Sequence, residues 1–339
     1  MKQIINKDSN KINYGIFDEP LDFNYRDYVL HDFFDHKVSH FKQKISFHKF
    51  NFTAITTDHY IVGLAIVDVA FKKNIFAFVY EKNKGILTQV QTNISNRKIQ
   101  FDNNPDTYTI TCHNRKLNLD IYKDLKSDTL KINFEWFKKM SIKLNAHYSF
   151  NDKPLRVLNP SDFDHWTFTE KQAGLKIQSV RVECLGQTLG INPNNALVCS
   201  DWSAGHYRRN TNWIWGCGTT KVDNQVVGFN FATFINNALY AENAIWVGKE
   251  RQIIPRVVFE WDYNEPYKHL FKIHNNEYGI NLTFQPLSEK NDKKSRGFGL
   301  IKTNFRQFFG IYKGYITFKN QKIELGELLG LFELHKSLW

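Results

Sequence analysis

An all-β chain made of two successive antiparallel meanders is what the sequence predicts, each meander closing or nearly closing into a barrel. Three observations carry this expectation. Short runs of alternating apolar and polar residues recur at close spacing along all 339 residues, and alternation of period two is the mark of a half-buried strand. No stretch shows the sustained 3.6-residue periodicity of a long amphipathic helix. Aromatic residues reach 15%, with Phe 29 and Tyr 15, and such side chains suit the pleated surface of a sheet.

Taken in order, residues 14–17 (YGIF) and 19–23 (EPLDF) give turn signals with little periodicity, an irregular arm lying across the fold. Partial alternation follows over residues 38–50 and 52–58. The run 60–71 (YIVGLAIVDVAF) is apolar almost throughout and reads as a buried strand, paired through the basic turn 72–74 with 76–80 in a hairpin. Further alternating runs at 108–113, 117–122, 131–137 and 141–148 complete a first series. Residues 151–160 (NDKPLRVLNP) are polar and proline-punctuated, and beyond them the pattern restarts at 166–169 and 175–184. It continues through 226–235, a break at Asn236 and Asn237, then 244–247, 257–260, 269–274, 280–284, 299–304 and 314–318. The expected division is therefore 1–155 and 156–339, one barrel domain each.

Charge and cysteine usage narrow the class. The formal net charge is +11, but the lysines are dispersed in pairs among asparagines. No RRM, zinc-finger or helix-turn-helix pattern accompanies them, so a basic solvated surface is expected and not a nucleic-acid partner. Cys112, Cys184, Cys199 and Cys217 are far apart with no C-x-x-C pair, which favours free thiols. The first residues lack the apolar core of a signal peptide, and no apolar run is long enough to span a bilayer. A cytoplasmic location without transmembrane association is the expectation. Phosphate-binding P-loop, dinucleotide and His-Glu-x-x-His motifs are missing, so neither a cofactor nor a metal is predicted.

The densest chemistry lies in residues 199–218 (CSDWSAGHYRRNTNWIWGCG), where Asp201, His206, Arg208, Arg209, Trp202, Trp213 and Trp215 fall within twenty positions. Wide aromatic rings gain most from leaving water and ionised groups least, so a half-buried strand beside a polar cavity accommodates both. Counted as one strand from Tyr207, Arg209 shares a face with Trp213 and Trp215, while Arg208 shares the other with His206. Arg209 is then expected in a buried ion pair with Asp201, Glu242 or Glu333 under tryptophan cover, and Arg208 at a polar group of a ligand. An amphipathic strand with arginines paired to carboxylates and tryptophans in the core is the structural reading of the same residues.

Residues 201–216 (DWSAGHYRRNTNWIWG), 241–247 (AENAIWV), 308–314 (FFGIYKG) and 330–339 (GLFELHKSLW) closely resemble the DUF2804 family, as do 14–17, 154–160 (PLRVLNP) and 166–171 (WTFTEK). The resemblance runs over nearly the whole chain, with modest departures at His206, Tyr207 and Cys217. It implies two lipocalin-like (calycin-type) antiparallel β-barrels packed together, distantly similar to the carotenoid 1,2-hydratase group, whose enzymes act on bulky apolar isoprenoids by proton-initiated chemistry. The implied partner is a hydrophobic small molecule. Fold likeness alone is a weak guide to reaction.

Acid chemistry in an apolar cavity needs a carboxylic acid or histidine whose proton is retained near neutral pH, which burial favours for a carboxyl group. Asp201, Glu242, Glu333 and His335 are the catalytic candidates; Glu333 and His335 share a strand face, as a hydrogen-bonded dyad would. His206, Arg208, Arg209, Trp213, Trp215 and Asn243 are the ligand-binding candidates. The expected function is acid–base chemistry, by hydration, isomerisation or cyclisation, on a bulky hydrophobic molecule. The alternative is a lipid- or small-molecule-binding protein that uses the same cavity without turnover.

Overall fold

A computed structural model gives the architecture and describes residues 1–69, 72–235, 239–296 and 301–338. The all-β expectation is met: among the described residues there are two large antiparallel sheets and one short α-helix, His40–Ser46, capped by Ser39. The expected break at Asn236 and Asn237, the end of the 60–71 run and the start of 299–304 lie outside the described residues.

The first sheet consists of two meanders joined by a hairpin. One meander is Phe47–Thr56, Tyr60–Val69, Lys72–Glu81 and Gly85–Ser95. The other is Gln100–Phe101, Thr107–His113, Leu117–Asp124, Thr129–Trp136 and Met140–His147. Between them sit Trp166–Cys184, paired to Met140–His147, and Leu197–His206, paired to Phe47–Thr56. A single contact shows how strongly the sheet curls. The Asn51 amide donates to the Tyr108 hydroxyl at 2.8 Å, although six strand-to-strand steps separate their strands along the sheet. Laid flat, that path is about 29 Å at roughly 4.8 Å per step, far beyond side-chain reach. The sheet therefore wraps around an interior, filled by Leu119, Ile121, Ile132, Phe134, Trp166 and Trp202 among others.

The second sheet runs from Glu250–Ile253 through Ala244–Val247, Gln225–Thr233, Asn210–Val222, Leu328–Leu338, Ile301–Phe318, Ile280–Arg296 and Phe271–Asn275 to Val258–Glu260. It also curls: the rings of Phe259 and Phe332 lie 5.8 Å apart with four strand steps between them. Phenylalanines pack its interior in edge-on and tilted pairs, such as Phe271 against Phe308 and Phe284 against Tyr312. Two curled antiparallel half-barrels packed together are thus observed where a pair of closed or nearly closed barrels was expected.

The two sheets pack through a third core, with Phe52, Phe78 and Tyr80 from the first against Trp215, Phe309 and Leu331 from the second. Tyr80 stacks on Phe309 at 4.5 Å. Burial on both sides explains the uninterrupted apolar run after Tyr60: Val62, Leu64 and Ile66 face the first interior, while Ile61 and Ala65 face the second sheet. In the long Trp166–Cys184 strand, Gly174 adopts a positive φ of 95° and the register shifts between Ala173 and Leu175. Such a bulge exchanges the faces, and accordingly Ala173 packs between the sheets and Leu175 inside the first.

The division expected at 155/156 is corrected by this topology. Leu155–Pro160, Trp166–Cys184 and Leu197–His206 all belong to the first sheet, which passes to the second between His206 and Asn210. Turn signals mark where strands end, but they do not mark which sheet the next strand joins.

Candidate functional site

The junction between the sheets holds a narrow pocket with about 70 Å³ of accessible space, so a ligand of ordinary size has to extend through its mouth. Strand alternation puts the lining in place. On Leu197–His206, Asp201 and Ser203 face the second sheet, while Trp202, Ala204 and His206 face the first interior. Phe50 and Phe52 come from the neighbouring strand, Trp213 and Trp215 from the start of the second sheet, and Glu333 from the terminal strand. Aromatic side chains make up much of the wall and the polar groups sit among them.

Lys171 organises the charges. It is the register partner of Asp201, and its Nζ lies 2.7 Å from Asp201 Oδ2 and 3.7 Å from Glu242 Oε2. Ser203 donates to the other Asp201 oxygen at 3.0 Å. Burial works against the Lys171 ammonium, but Asp201 and Glu242 outweigh it and hold its pKa above the ordinary lysine value. Tyr207, at the same pocket, is held protonated by burial, with Glu242 and Asp201 adding to the effect.

Glu333 differs from the other carboxylates. Burial raises its pKa to about 7, Asp201 adds to the rise, and bonds from Trp213 Nε1 (3.2 Å) and Gln307 Nε2 (2.6 Å) oppose it, as does Lys171. It therefore retains a proton over a substantial fraction of molecules at neutral pH. His48, on the opposite wall, is held neutral because burial lowers its pKa to about 4.

Of the sequence-derived candidates, Asp201, Glu333, Trp213 and Trp215 are brought together at this pocket. Glu242 approaches it through Lys171 and also lines an adjacent cavity with Asn243. Asn243 accepts from the Ala232 amide at 2.6 Å, and Trp215 Nε1 donates to Asn230 at 2.7 Å, so both tie the pocket wall to neighbouring backbone and side chains. His335 stacks on Trp213, with rings 3.7 Å apart and 6° from parallel, and bonds Ser337. It supports the indole that donates to Glu333, in place of the expected direct dyad.

Three candidates lie outside this pocket. His206 faces the first interior among Trp166, Tyr28 and Phe47, with Ser46 Oγ 2.8 Å from its Nδ1. Arg209 is exposed, and Arg208 donates to the Phe234 carbonyl at 2.8 Å. The parity counted from Tyr207 fails because residues 207–209 form the crossover between two sheets. The buried partner of Asp201 is Lys171, a residue the charge argument overlooked. Its signal was the Glu170-Lys171 pair in the middle of a largely buried strand, where adjacent positions point to opposite faces. Glu170 indeed pairs inside the first sheet with Lys123 and with Arg156, the latter at 2.9 Å.

Asp262, Glu265 and His269 place their ligand atoms within 4.8 Å of one another in a surface segment of the second sheet, away from this pocket. Among the described residues no helix is long and apolar enough to cross a membrane.

The family model described as Domain of unknown function (DUF2804) matches residues 21–339. Curated proteins give no match. Among solved structures the chain is similar to kievitone hydratase from Nectria haematococca, with 13% identity over 86% of this chain and 88% of that one and a TM-score of 0.46.

Proposed function

We propose that this chain, which belongs to the DUF2804 family, is an acid–base enzyme acting on a bulky hydrophobic small molecule in the pocket between its sheets. The observation that carries the reading is Glu333, a carboxyl group with a pKa near neutrality set among Phe50, Phe52, Trp213 and Trp215. A general acid works best with its pKa near the working pH. In a hydration, the Glu333 proton passes to one carbon of a polarised double bond, water bonds to the other carbon, and a proton leaves that water to the Asp201 carboxylate. Exchange with solvent then returns both acids to their starting states. Lys171 holds Asp201 in place. Loss of a substrate proton in place of water addition makes the same groups an isomerase or cyclase.

The alternative, binding without turnover, draws on the Lys171 contacts, which already engage the carboxylates that chemistry would use. Incubation with terpenoid and prenylated phenolic alkenes in oxygen-labelled water, followed by mass spectrometry, separates the two. Labelled product from the native chain, lost in Glu333→Gln while ligand still quenches tryptophan fluorescence, is the expected result. Quenching by the same compounds with no product from the native chain overturns catalysis in favour of binding.

A further inference from the structure

Beside the site just described, the face of the second sheet that carries Ile214, Phe332 and Leu334 continues past its core into a concentration of positive charge, with no carboxylate among the described residues that line it. The register aligns Lys293, Asn304, Lys336 and Asn212 as one row across four neighbouring strands. Two residues along, on the same face, the next row contains Lys302, Leu338 and Asn210. Arg208 reaches this face from the crossover, oriented by its bond to the Phe234 carbonyl. These four cations line one open groove, with about 1620 Å³ of space counting its mouth, and no aspartate or glutamate lines it.

Several other cations of the second sheet do meet carboxylates: Arg306 with Glu289, Lys313 with Glu327, Lys319 with Glu250 and Lys322 with Glu324. Among the described residues, Arg208, Lys293, Lys302 and Lys336 have no carboxylate within 4.0 Å, although Lys336 lies 5.0 Å over the Tyr263 ring. Like charges on neighbouring strands of one face repel, so an anion placed among them relieves that repulsion and gains several charge-assisted hydrogen bonds at once. Asn210, Asn212, Asn304, Thr303 and Ser337 add neutral polar groups around it.

An adjoining cavity shares Asn212, Phe234, Asn304 and Lys336 with the groove and is walled by Trp213, Trp261 and Tyr263. We propose that groove and cavity together bind a small organic phosphate or diphosphate. Its oxyanions lie across the two rows of cations and its apolar or planar end rests against the aromatic side chains. Four cations exceed what one carboxylate would neutralise, whereas a diphosphate supplies several negative oxygens.

The test uses the full chain, with inorganic pyrophosphate and 1-naphthyl phosphate titrated calorimetrically in about 0.15 M salt, where long-range attraction is screened. Saturable one-to-one binding is expected, at least tenfold weaker in Lys302→Glu/Lys336→Glu. It should be unchanged in Lys116→Glu/Lys131→Glu, an exposed pair on the first sheet with the same change in net charge. Naphthyl phosphate is expected to bind more tightly than pyrophosphate, and circular dichroism confirms that each variant folds. Absence of saturation, or equal loss in both variant pairs, overturns the site. Tighter binding of a single-stranded oligonucleotide or of phosphatidylglycerol vesicles than of naphthyl phosphate overturns the small-molecule assignment. Glu333→Gln leaves this binding intact, so the outcome is independent of chemistry in the inter-sheet pocket.

Discussion

Lys171 and Asp201 face each other across two paired strands with Nζ and Oδ2 2.7 Å apart, and both are buried. The ammonium also serves Glu242, 3.7 Å away. Removing the shared partner of a buried ionic group leaves charge without compensation and typically costs on the order of 3–5 kcal/mol. Lys171→Ala is therefore expected to lower the urea midpoint strongly, and Lys171→Ala combined with Asp201→Asn to recover part of the loss. A single variant as stable as the native chain would show that the pair is solvated.

Glu333 gives stability a pH dependence of defined sign. Its folded pKa of about 7 lies above the value of 4.5 expected for a free glutamate. Between those values the unfolded chain loses the proton while the folded chain keeps it, so this residue's contribution is full below about pH 4.5 and is lost as pH rises through 7. The difference amounts to about 3 kcal/mol. His48, with a pKa lowered to about 4, and the likewise depressed His206 and His335 act in the opposite sense, destabilising the fold as pH falls below their ordinary value of 6.5. The measurement is accordingly differential. Native stability minus that of Glu333→Gln should decline from pH 5 to pH 8, and a constant difference would remove the case for a proton held there. Catalytic activity should fall above pH 7 as the acid form disappears.

Cys199 and Cys217 are free thiols, one from each sheet, with Sγ atoms 2.9 Å apart. Burial pushes the Cys217 thiol well above its usual pKa, which makes it a slow nucleophile. Prolonged treatment with diamide, a small oxidant that takes up the two electrons and two protons, is expected to join them. Peptide mass spectrometry after alkylation should then recover a 199–217 cross-link, with Cys112 and Cys184 alkylated as single thiols. Recovery of all four as alkylated thiols would mean that the sheets hold the sulfurs apart.

How much of this was legible in the sequence follows from the range of each signal. Alternation over 117–122 and 131–137 reports local burial and gave the strands, whose buried positions are now seen inside one core. The unbroken apolar run from Tyr60 gave a strand covered on both faces, as it is. Asp201, Glu333, Trp213 and Trp215 were found because ionised and aromatic side chains were crowded into short stretches. Lys171 escaped because alternation tells which residues share a face, not whether that face meets solvent or a second sheet. Arg208 and Arg209 were misplaced for a related reason: local periodicity carries no mark at the point where the chain leaves one sheet for the other.

The joining of the two meanders of the first sheet by the Trp166–Cys184 and Leu197–His206 hairpin has a consequence for biosynthesis. The strands Phe47–Thr56 and Met140–His147 each need a partner from that hairpin, so while the ribosome is still making the middle of the chain both present open edges. At about 5–20 residues per second, those edges wait several seconds for their partners to be translated and then to clear the exit tunnel. Unpaired edges are templates for association between chains. The nascent protein is thus most vulnerable to aggregation before residue 206 emerges, and a pause in translation ahead of that point should be more damaging than one after it.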